Sequence, residues 1–306
     1  MKPQRIVIAG GSGFIGRVLA KEYAYRHCDV VILTRTPRVR TSDIREVAWD
    51  GKNPGDWVHH LSGADALINL TGKNINCPHT RRNLRELTES RIDSIKALAA
   101  ACERVTVPPR VWVQASATGF YGDSGDALCD EHAPAGHNAL ADICRRWEDA
   151  FTAAELPRTR KATLRIGFVL GRNGGAFPLL AKLATWGLGG RAGNGRQFIS
   201  WIHLYDLLQM FHVAVERENF AVTANAVAPN PVTNGEFMRE LRRAVKRPWS
   251  PPVPALAVKL GAKFMESEPA LVLTGQRCVP GVFQELEFPW RYPQVYGALE
   301  DLCRKR

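Results

Sequence analysis

Glycines near the amino terminus have the spacing of a phosphate-binding turn. They follow the apolar run of residues 6–8 and lead into an amphipathic series that starts with Phe14 and Ile15. Glycines allow a tight turn with its backbone against a pyrophosphate, and the amide groups that begin a helix favour an anion. The segment therefore predicts a strand, turn and helix that bind a dinucleotide. The glycines concerned are Gly10, Gly11, Gly13 and Gly16.

These glycines match two related patterns. Gly11, Gly13 and Gly16 fit G-x-G-x-x-G, whereas Gly10, Gly13 and Gly16 fit G-x-x-G-x-x-G, and both spacings suit the same turn. In a chain with 26 glycines, the alternative is an ordinary glycine turn. The position between an apolar strand and an amphipathic helix favours the phosphate-binding interpretation.

The end of the second predicted strand indicates which dinucleotide is bound. The apolar run of residues 30–33 leads to Arg35 and Thr36, where NAD-binding proteins carry an acid for the ribose 2′-hydroxyl. A guanidinium can instead stack on adenine and bind a 2′-phosphate. This favours NADP over NAD. Arg38 and Arg40 could share or replace the role of Arg35, and the alternative is a solvated charge at a strand end.

The amino-acid composition limits the class of protein to which this chain can belong. A chain of 306 residues with 45% hydrophobic and 23% charged residues is typical of a soluble globular protein. It has neither a signal-peptide core nor an apolar run of about 18 residues, so we expect a cytoplasmic protein with no membrane partner. The seven cysteines are scattered without C-x-x-C spacing, which argues against a disulfide framework and a metal site.

The net charge of +11 suits an anionic partner. Its basic residues form small groups with no stripe of interleaved aromatics, so we expect no nucleic-acid partner. A dinucleotide or a phosphorylated metabolite uses such a charge equally well.

Strand-like and helix-like segments alternate along the chain. Strands are predicted at residues 66–70, 111–115 and 162–169, and helices at residues 82–103 and 138–155. This alternation predicts an α/β fold with a Rossmann-like, doubly wound parallel sheet. The composition of residues 198–206 again indicates strands and turns.

The chain divides into two predicted regions. Residues 1–170 form a nucleotide-binding domain whose sheet is completed by segments from about 198–228, and residues 171–306 form a smaller substrate or cap region. Strand ends border the ligand crevice of open parallel sheets, so we expect Leu70, Thr71 and Gly72 to line it.

Several motifs resemble the extended short-chain dehydrogenase/reductases, and among them the atypical epimerase-family proteins with a C-terminal domain of unassigned function. They include AGGSGFIG at residues 9–16, NLTGKNI at 69–75, SATGFYG at 116–122, CRRWE at 144–148 and TGQRCVPGVFQELEF at 274–288. The resemblance implies a Rossmann-like domain that binds NADP, a cleft roofed by the C-terminal part, and a homodimer interface on the helices at 82–103 and 138–155. The cofactor-binding residues that it adds are Glu86, Arg91, Ala115 and Arg165.

The superfamily's catalysis uses a tyrosine, a lysine four residues later, and a serine or threonine that orients the substrate oxygen. Ser116 matches the serine, but the other two positions carry Leu140 and Cys144. A phenol without the lysine is a poor base at neutral pH. Tyr121 is a candidate substitute on the Ser116 loop, with structural packing as the alternative. Further candidate proton donors are Asp123, Glu131, His137 and Asp142.

Two functions follow from these residues. The first is an NADP-binding oxidoreductase or epimerase-like protein that acts on a small carbonyl or hydroxyl compound. The second is a non-catalytic protein that binds NADP(H) as a sensor, since the usual tyrosine and lysine are missing.

Overall fold

The structure is a computed structural model that describes residues 4–38, 44–264 and 266–304. Strands and helices alternate through its first part. In chain order these elements are β1 (Arg5–Ala9), α1 (Phe14–Tyr25), β2 (Asp29–Thr34), β3 (Ile44–Ala48), β4 (Ala66–Asn69), α2 (Arg81–Arg104), β5 (Val111–Ala117), β6 (Leu128–Cys129), α3 (Ala139–Thr152), β7 (Arg160–Ile166) and β8 (Phe168–Leu170). Two 3-10 helices, Asp56–Leu61 and Thr118–Tyr121, precede β4 and follow β5.

The remaining part is richer in short elements. They are α4 (Phe177–Thr185), β9 (Phe198–Ile199), β10 (Trp201–His203), α5 (Leu204–Glu216), β11 (Thr223–Ala226), β12 (Val232–Thr233), α6 (Asn234–Ala244), α7 (Ala255–Phe264), α8 (Ala270–Leu273), β13 (Arg277–Cys278), α9 (Gly281–Glu285) and α10 (Val295–Cys303). An apolar cluster that includes Phe177, Phe237 and Leu299 lies among α4, α6 and α10.

A parallel sheet of seven strands forms the centre of the fold. Its order is β11-β7-β5-β4-β1-β2-β3. Successive side chains of a strand point to opposite faces, so Ile8 packs with Leu19 of α1 while Val7 packs with Leu98 of α2. Helices α1 and α5 cover one face, and α2 and α3 cover the other. This confirms the predicted doubly wound parallel sheet.

The two long helices begin at side chains that accept hydrogen bonds from the helix backbone. The Thr80 hydroxyl accepts from the backbone N–H of Asn83 at the start of α2, and Asn138 Oδ1 accepts from the backbone N–H of Ala141 at the start of α3. Both helices agree with the predicted segments 82–103 and 138–155 within a few residues. In the described ranges, no helix combines the length and the apolar character needed to cross a membrane.

The predicted strand at 162–169 is wrong, because this segment forms two strands in different sheets. Gly167 separates β7 from β8, and a Cβ atom there would lie 2.4 Å from the carbonyl oxygen of Ser200. Strand β3 and helix α5 were not predicted from the sequence. Helix α5 begins at His203, whose Nδ1 accepts from the backbone N–H of Tyr205.

The C-terminal segment is tied to α5 and to the loop after β4. Both carboxylate oxygens of Asp206 accept backbone hydrogen bonds of 3.0 Å, from Arg291 and Tyr292. Glu268 accepts from the backbone N–H of His79 at 3.1 Å. The C-terminal segment therefore contacts the chain that follows the carboxyl end of β4.

Candidate functional site

The turn between β1 and α1 requires glycine for two separate reasons. Gly10 has a positive φ of 74°, a conformation that side chains disfavour, and its amide donates to the carbonyl of Leu33 at 3.0 Å. A Cβ atom on Gly16 would lie 2.6 Å from the Cα of Gly11. Helix α1 therefore packs directly against the glycine turn.

The first helical residues of α1 are covered by a second glycine-rich loop. A Cβ atom on Gly174 would lie 2.2 Å from Cδ2 of Phe14, and one on Gly171 would lie 2.4 Å from Cζ. Ile15 is partly buried against the core on the α1 face of the sheet. Gly13 is exposed and precedes α1 without a side chain that could cap it. An anion can therefore approach this helix terminus directly.

The end of β2 lies beside this turn. The Thr34 hydroxyl donates to the Ser12 hydroxyl at 2.9 Å, which joins the glycine turn to the strand end. Arg35 and Thr36 follow and are exposed, as is Arg38. Arg40 lies outside the described residues. Ser12 was not singled out from the sequence, although its place inside the glycine turn is a usable signal.

The loop after β4 borders the same turn. A Cβ atom on Gly10 would lie 3.0 Å from the backbone nitrogen of Thr71 and from the carbonyl carbon of Leu70. Asn69 Oδ1 accepts from the Thr71 amide at 3.0 Å. The Thr71 hydroxyl is buried and has no hydrogen-bond partner within the described residues. A glycine cradle beside an orphaned hydroxyl fits the phosphates of a dinucleotide.

Two of the residues suggested by the resemblance lie on α2. Glu86 accepts from Lys73 Nζ at 2.6 Å and from Arg82 Nε at 2.9 Å, and these hydrogen bonds lower the pKa of Glu86 to about 2. Arg91 lies beside Gly72 in the loop after β4. Glu86 is thus engaged in ion pairs, while Arg91 contacts the loop that borders the glycine turn.

At the end of β5, Ser116 joins a buried hydrogen-bond network. Its hydroxyl donates to Glu148 Oε1 at 2.6 Å. The Glu148 carboxylate also receives two hydrogen bonds from Arg165, at 3.0 Å from Nε and 2.8 Å from Nη2. Ala115 is buried beside Ser116. From the sequence, Glu148 was recognised only as part of the CRRWE motif, because nothing local indicates that α3 packs against the end of β5.

Tyr121 belongs to the same network. Its hydroxyl donates to Asn225 Oδ1 and accepts from Arg165 Nη1, both at 2.8 Å. The side chain is 3% exposed, and burial raises the pKa of the phenol well above its usual range. The Arg165 guanidinium stacks on the ring of Phe120 with Cζ 3.5 Å from the ring centre. Both hydrogen bonds of the phenol are thus made inside the protein.

Helix α3 carries the two positions where the superfamily has its tyrosine and lysine. Cys144 is buried against the 3-10 helix after β5, and burial raises the pKa of its thiol to about 12. Leu140 lies on the same side, near Gly119. A neutral thiol and an aliphatic side chain cannot exchange a proton as that pair does.

The other candidate proton donors are mostly engaged elsewhere. Glu131 Oε1 accepts from the backbone N–H groups of Asn225 and Val282, and Asp142 pairs with Arg145. Asp123 and the exposed His137 line a cavity of about 540 Å³ that Tyr121 also borders. The structure does not bring these four residues together with Ser116.

A glycine turn at the carboxyl ends of parallel strands, with a basic residue after β2, defines a dinucleotide-binding protein of the Rossmann type. The chain belongs to the NAD dependent epimerase/dehydratase family, whose profile matches residues 6–227. A domain of unknown function, DUF1731, matches residues 253–302. This confirms the resemblance that the motifs indicated, including the C-terminal domain.

Similar proteins span nearly the whole chain. The epimerase family protein SDR39U1 of Bos taurus is 33% identical over 305 residues, covering 97% of this chain and 99% of the relative. The epimerase family protein ML0860 of Mycobacterium leprae is 32% identical over 296 residues, covering 96% and 94%. Among solved structures, human SDR39U1 with NADPH has a TM-score of 0.87 at 28% identity, covering 98% of this chain and 99% of that one.

Proposed function

We propose that the protein binds NADP(H) and acts as an oxidoreductase or epimerase on a small carbonyl or hydroxyl compound. The observation that carries this proposal is the glycine turn of β1 and α1, which leaves no room for a side chain at Gly16 and leaves Gly13 open to an anion. The human relative solved with NADPH supports the same cofactor.

In this proposal the cofactor's phosphates lie at the amino terminus of α1. Gly10, Gly13 and Gly16 allow the approach, and the first amides of Phe14 and Ile15 donate to the pyrophosphate. Arg35 and Thr36 bind the 2′-phosphate, for which a guanidinium provides paired donors. The bordering residues of the crevice are Leu70, Thr71, Gly72 and Ala115.

When bound, NADP(H) supplies a hydride donor or acceptor, and Ser116 orients the substrate oxygen. Because the Ser116 hydroxyl donates to Glu148, its lone pairs can accept a hydrogen bond from a substrate hydroxyl. Arg165 then acts as a positioning residue that holds Glu148, and Tyr121 as one that holds Arg165. We thus propose structural roles for Arg165 and Tyr121, in place of the direct contacts expected from the sequence.

The cofactor proposal is tested by reversing the charge at Arg35. Arg35→Asp should weaken NADPH binding at least tenfold and leave NADH binding nearly unchanged, because only NADPH carries the 2′-phosphate. Dissociation constants are measured by nucleotide fluorescence. Arg110→Asp is the control. It makes the same charge change directly before the amino end of β5, and it should change the affinity for neither nucleotide. Equal weakening of both nucleotides would contradict the assignment.

The second function, an NADP(H) sensor without catalysis, is favoured by one observation: the protonated Cys144 thiol and Leu140 occupy the catalytic positions. A panel of carbonyl compounds tested for NADPH oxidation separates the two functions. Turnover that falls in Ser116→Ala with unchanged NADPH affinity supports the enzyme. Tight NADPH binding with no turnover of any compound supports the sensor.

A further inference from the structure

Two cysteines that are far apart in the sequence lie opposite each other in the structure. Cys129 of β6 and Cys278 of β13 are paired residues of a two-stranded parallel sheet, and both are free thiols. Neighbouring strands lie about 4.8 Å apart, and the side chains of paired residues share a face of the sheet. A disulfide needs Cα atoms that are about 4.4 to 6.8 Å apart. The register of β6 with β13 therefore suits a disulfide without a large movement of the backbone.

The surrounding contacts keep this pair in register. The backbone N–H of Val279 donates to the Cys129 carbonyl at 3.0 Å, and the backbone N–H of Cys278 donates to the Ser200 hydroxyl at 2.8 Å. Both cysteines also belong to a small buried apolar cluster with Tyr121. The two thiols are thus held together by the fold.

Only one of the two thiols can be reached from solvent. Cys278 is 0% exposed, whereas Cys129 is 5% exposed and lines the cavity of about 540 Å³ beside Tyr121. The exposed residues Asp123 and His137 line the same cavity, so it is open to solvent. A small molecule that enters the cavity therefore meets Cys129 first.

The environment also makes the two thiols chemically unequal. Hydrogen bonds from the side chains of Cys278 and Ser124 lower the pKa of Cys129, although its burial opposes the shift. Burial raises the pKa of Cys278, and the hydrogen bond with Cys129 raises it further. The thiolate is the nucleophilic form of cysteine. The accessible Cys129 is therefore the attacking group, and the protonated Cys278 is the group that can resolve its oxidised form.

We propose that Cys129 and Cys278 are a modification site at which a hydroperoxide forms a disulfide. The Cys129 thiolate attacks one peroxide oxygen, the O–O bond breaks, and the other oxygen leaves as water after it takes a proton. The resulting sulfenic acid is attacked by the Cys278 sulfur, which gives up its proton as the sulfenic oxygen leaves as a second water. Two sulfurs are oxidised and two peroxide oxygens are reduced.

This disulfide would join the two parts of the chain that different families match. Cys129 lies in the part that matches the epimerase/dehydratase family, and Cys278 lies in the part that matches DUF1731. The link would close a loop of about 150 residues, which restricts the unfolded chain and stabilises the folded one. The inference goes beyond the proposed function and does not depend on NADP(H) binding.

The test uses the full-length wild type, reduced and freed of reductant. It is incubated with a small excess of hydrogen peroxide, remaining thiols are alkylated, and peptide mass spectrometry locates any cross-link. We expect a Cys129–Cys278 cross-linked peptide and a melting temperature about 5 °C higher, with both changes reversed by dithiothreitol. A folded wild type that forms no such cross-link overturns the proposal, whatever the variants do.

Three variants separate the attacking thiol from the resolving one. In Cys278→Ser, oxidation should stop at a sulfenic acid on Cys129, which dimedone traps. In Cys129→Ser, the buried Cys278 should stay reduced. The half-buried Cys77 has no cysteine opposite it in a sheet, so Cys77→Ser is the control and should form the cross-link like the wild type. Oxidation of Cys278 that is as fast in Cys129→Ser as in the wild type would also overturn the proposal.

Discussion

Ser116 on β5 donates its hydroxyl to Glu148 on α3 at 2.6 Å, although 32 positions separate the two residues in the chain. The same carboxylate compensates Arg165, whose side chain is 8% exposed. The bond thus connects the candidate substrate-binding hydroxyl to a buried ion pair. Glu148 therefore contributes to the candidate site through Ser116 and to the stability of the fold through Arg165.

Glu148→Gln should destabilise the protein more than Ser116→Ala. The first change leaves the buried guanidinium of Arg165 without a counter-ion, at a cost of about 3 kcal/mol in the free energy of unfolding. The second removes one hydrogen bond, worth about 1 kcal/mol. Urea denaturation measures both, with the exposed Glu155→Gln as the control. Equal losses of unfolding free energy in Glu148→Gln and Ser116→Ala would show that the ion pair of Glu148 with Arg165 contributes little to stability.

Substitutions in the glycine turn should separate folding from cofactor binding. In Gly16→Ala the new Cβ atom would meet the Gly11 backbone at 2.6 to 2.9 Å, so we expect a loss of about 2 kcal/mol in stability. In Gly13→Ala the Cβ atom meets only the carbonyl oxygen of Gly10, at 3.4 Å. This variant should fold like the wild type and bind NADPH at least tenfold more weakly, because its methyl group faces the phosphates. Thermal melts and NADPH titrations measure the two effects, and unchanged NADPH affinity in Gly13→Ala would contradict the proposed pyrophosphate position.

Because two histidines are buried, we expect the protein to lose stability in mild acid. Burial lowers the pKa values of His203 and His212 to about 4, and neither ring nitrogen of His212 forms a hydrogen bond with the described residues. In the unfolded chain a histidine binds its proton near pH ~6.5. The unfolded state therefore takes up protons first, and stability is lost as the pH falls from about 6.5 to about 4, by up to roughly 3 kcal/mol for each histidine.

The measurement for this prediction is the free energy of unfolding between pH 7 and pH 4. His212→Leu should have a shallower dependence on pH than the wild type, since it removes one of the two groups. His132→Gln, at an exposed position, should retain the slope of the wild type. An identical slope in His212→Leu would show that His212 does not contribute.

Strands β1, β2, β4 and β5, the two long helices and the glycine turn could be predicted because they depend on local patterns. Apolar runs mark β1 and β2, and helical periodicity marks α2. The boundary between β7 and β8 could not be predicted in the same way. It depends on the approach of Ser200 to Gly167, which are far apart in the chain.

The sequence by itself determined the fold class, the family and the place where a dinucleotide's phosphates are expected, because periodicity and glycine spacing are local properties of the backbone. Only the tertiary structure decided what surrounds Ser116. The partners of that site lie 17 to 104 positions apart along the chain and meet through the packing of α3 on the sheet and through the pairing of β7 with β11. Tyr121 is buried in the same way, because Arg165 of β7 and Asn225 of β11 both form hydrogen bonds with its hydroxyl.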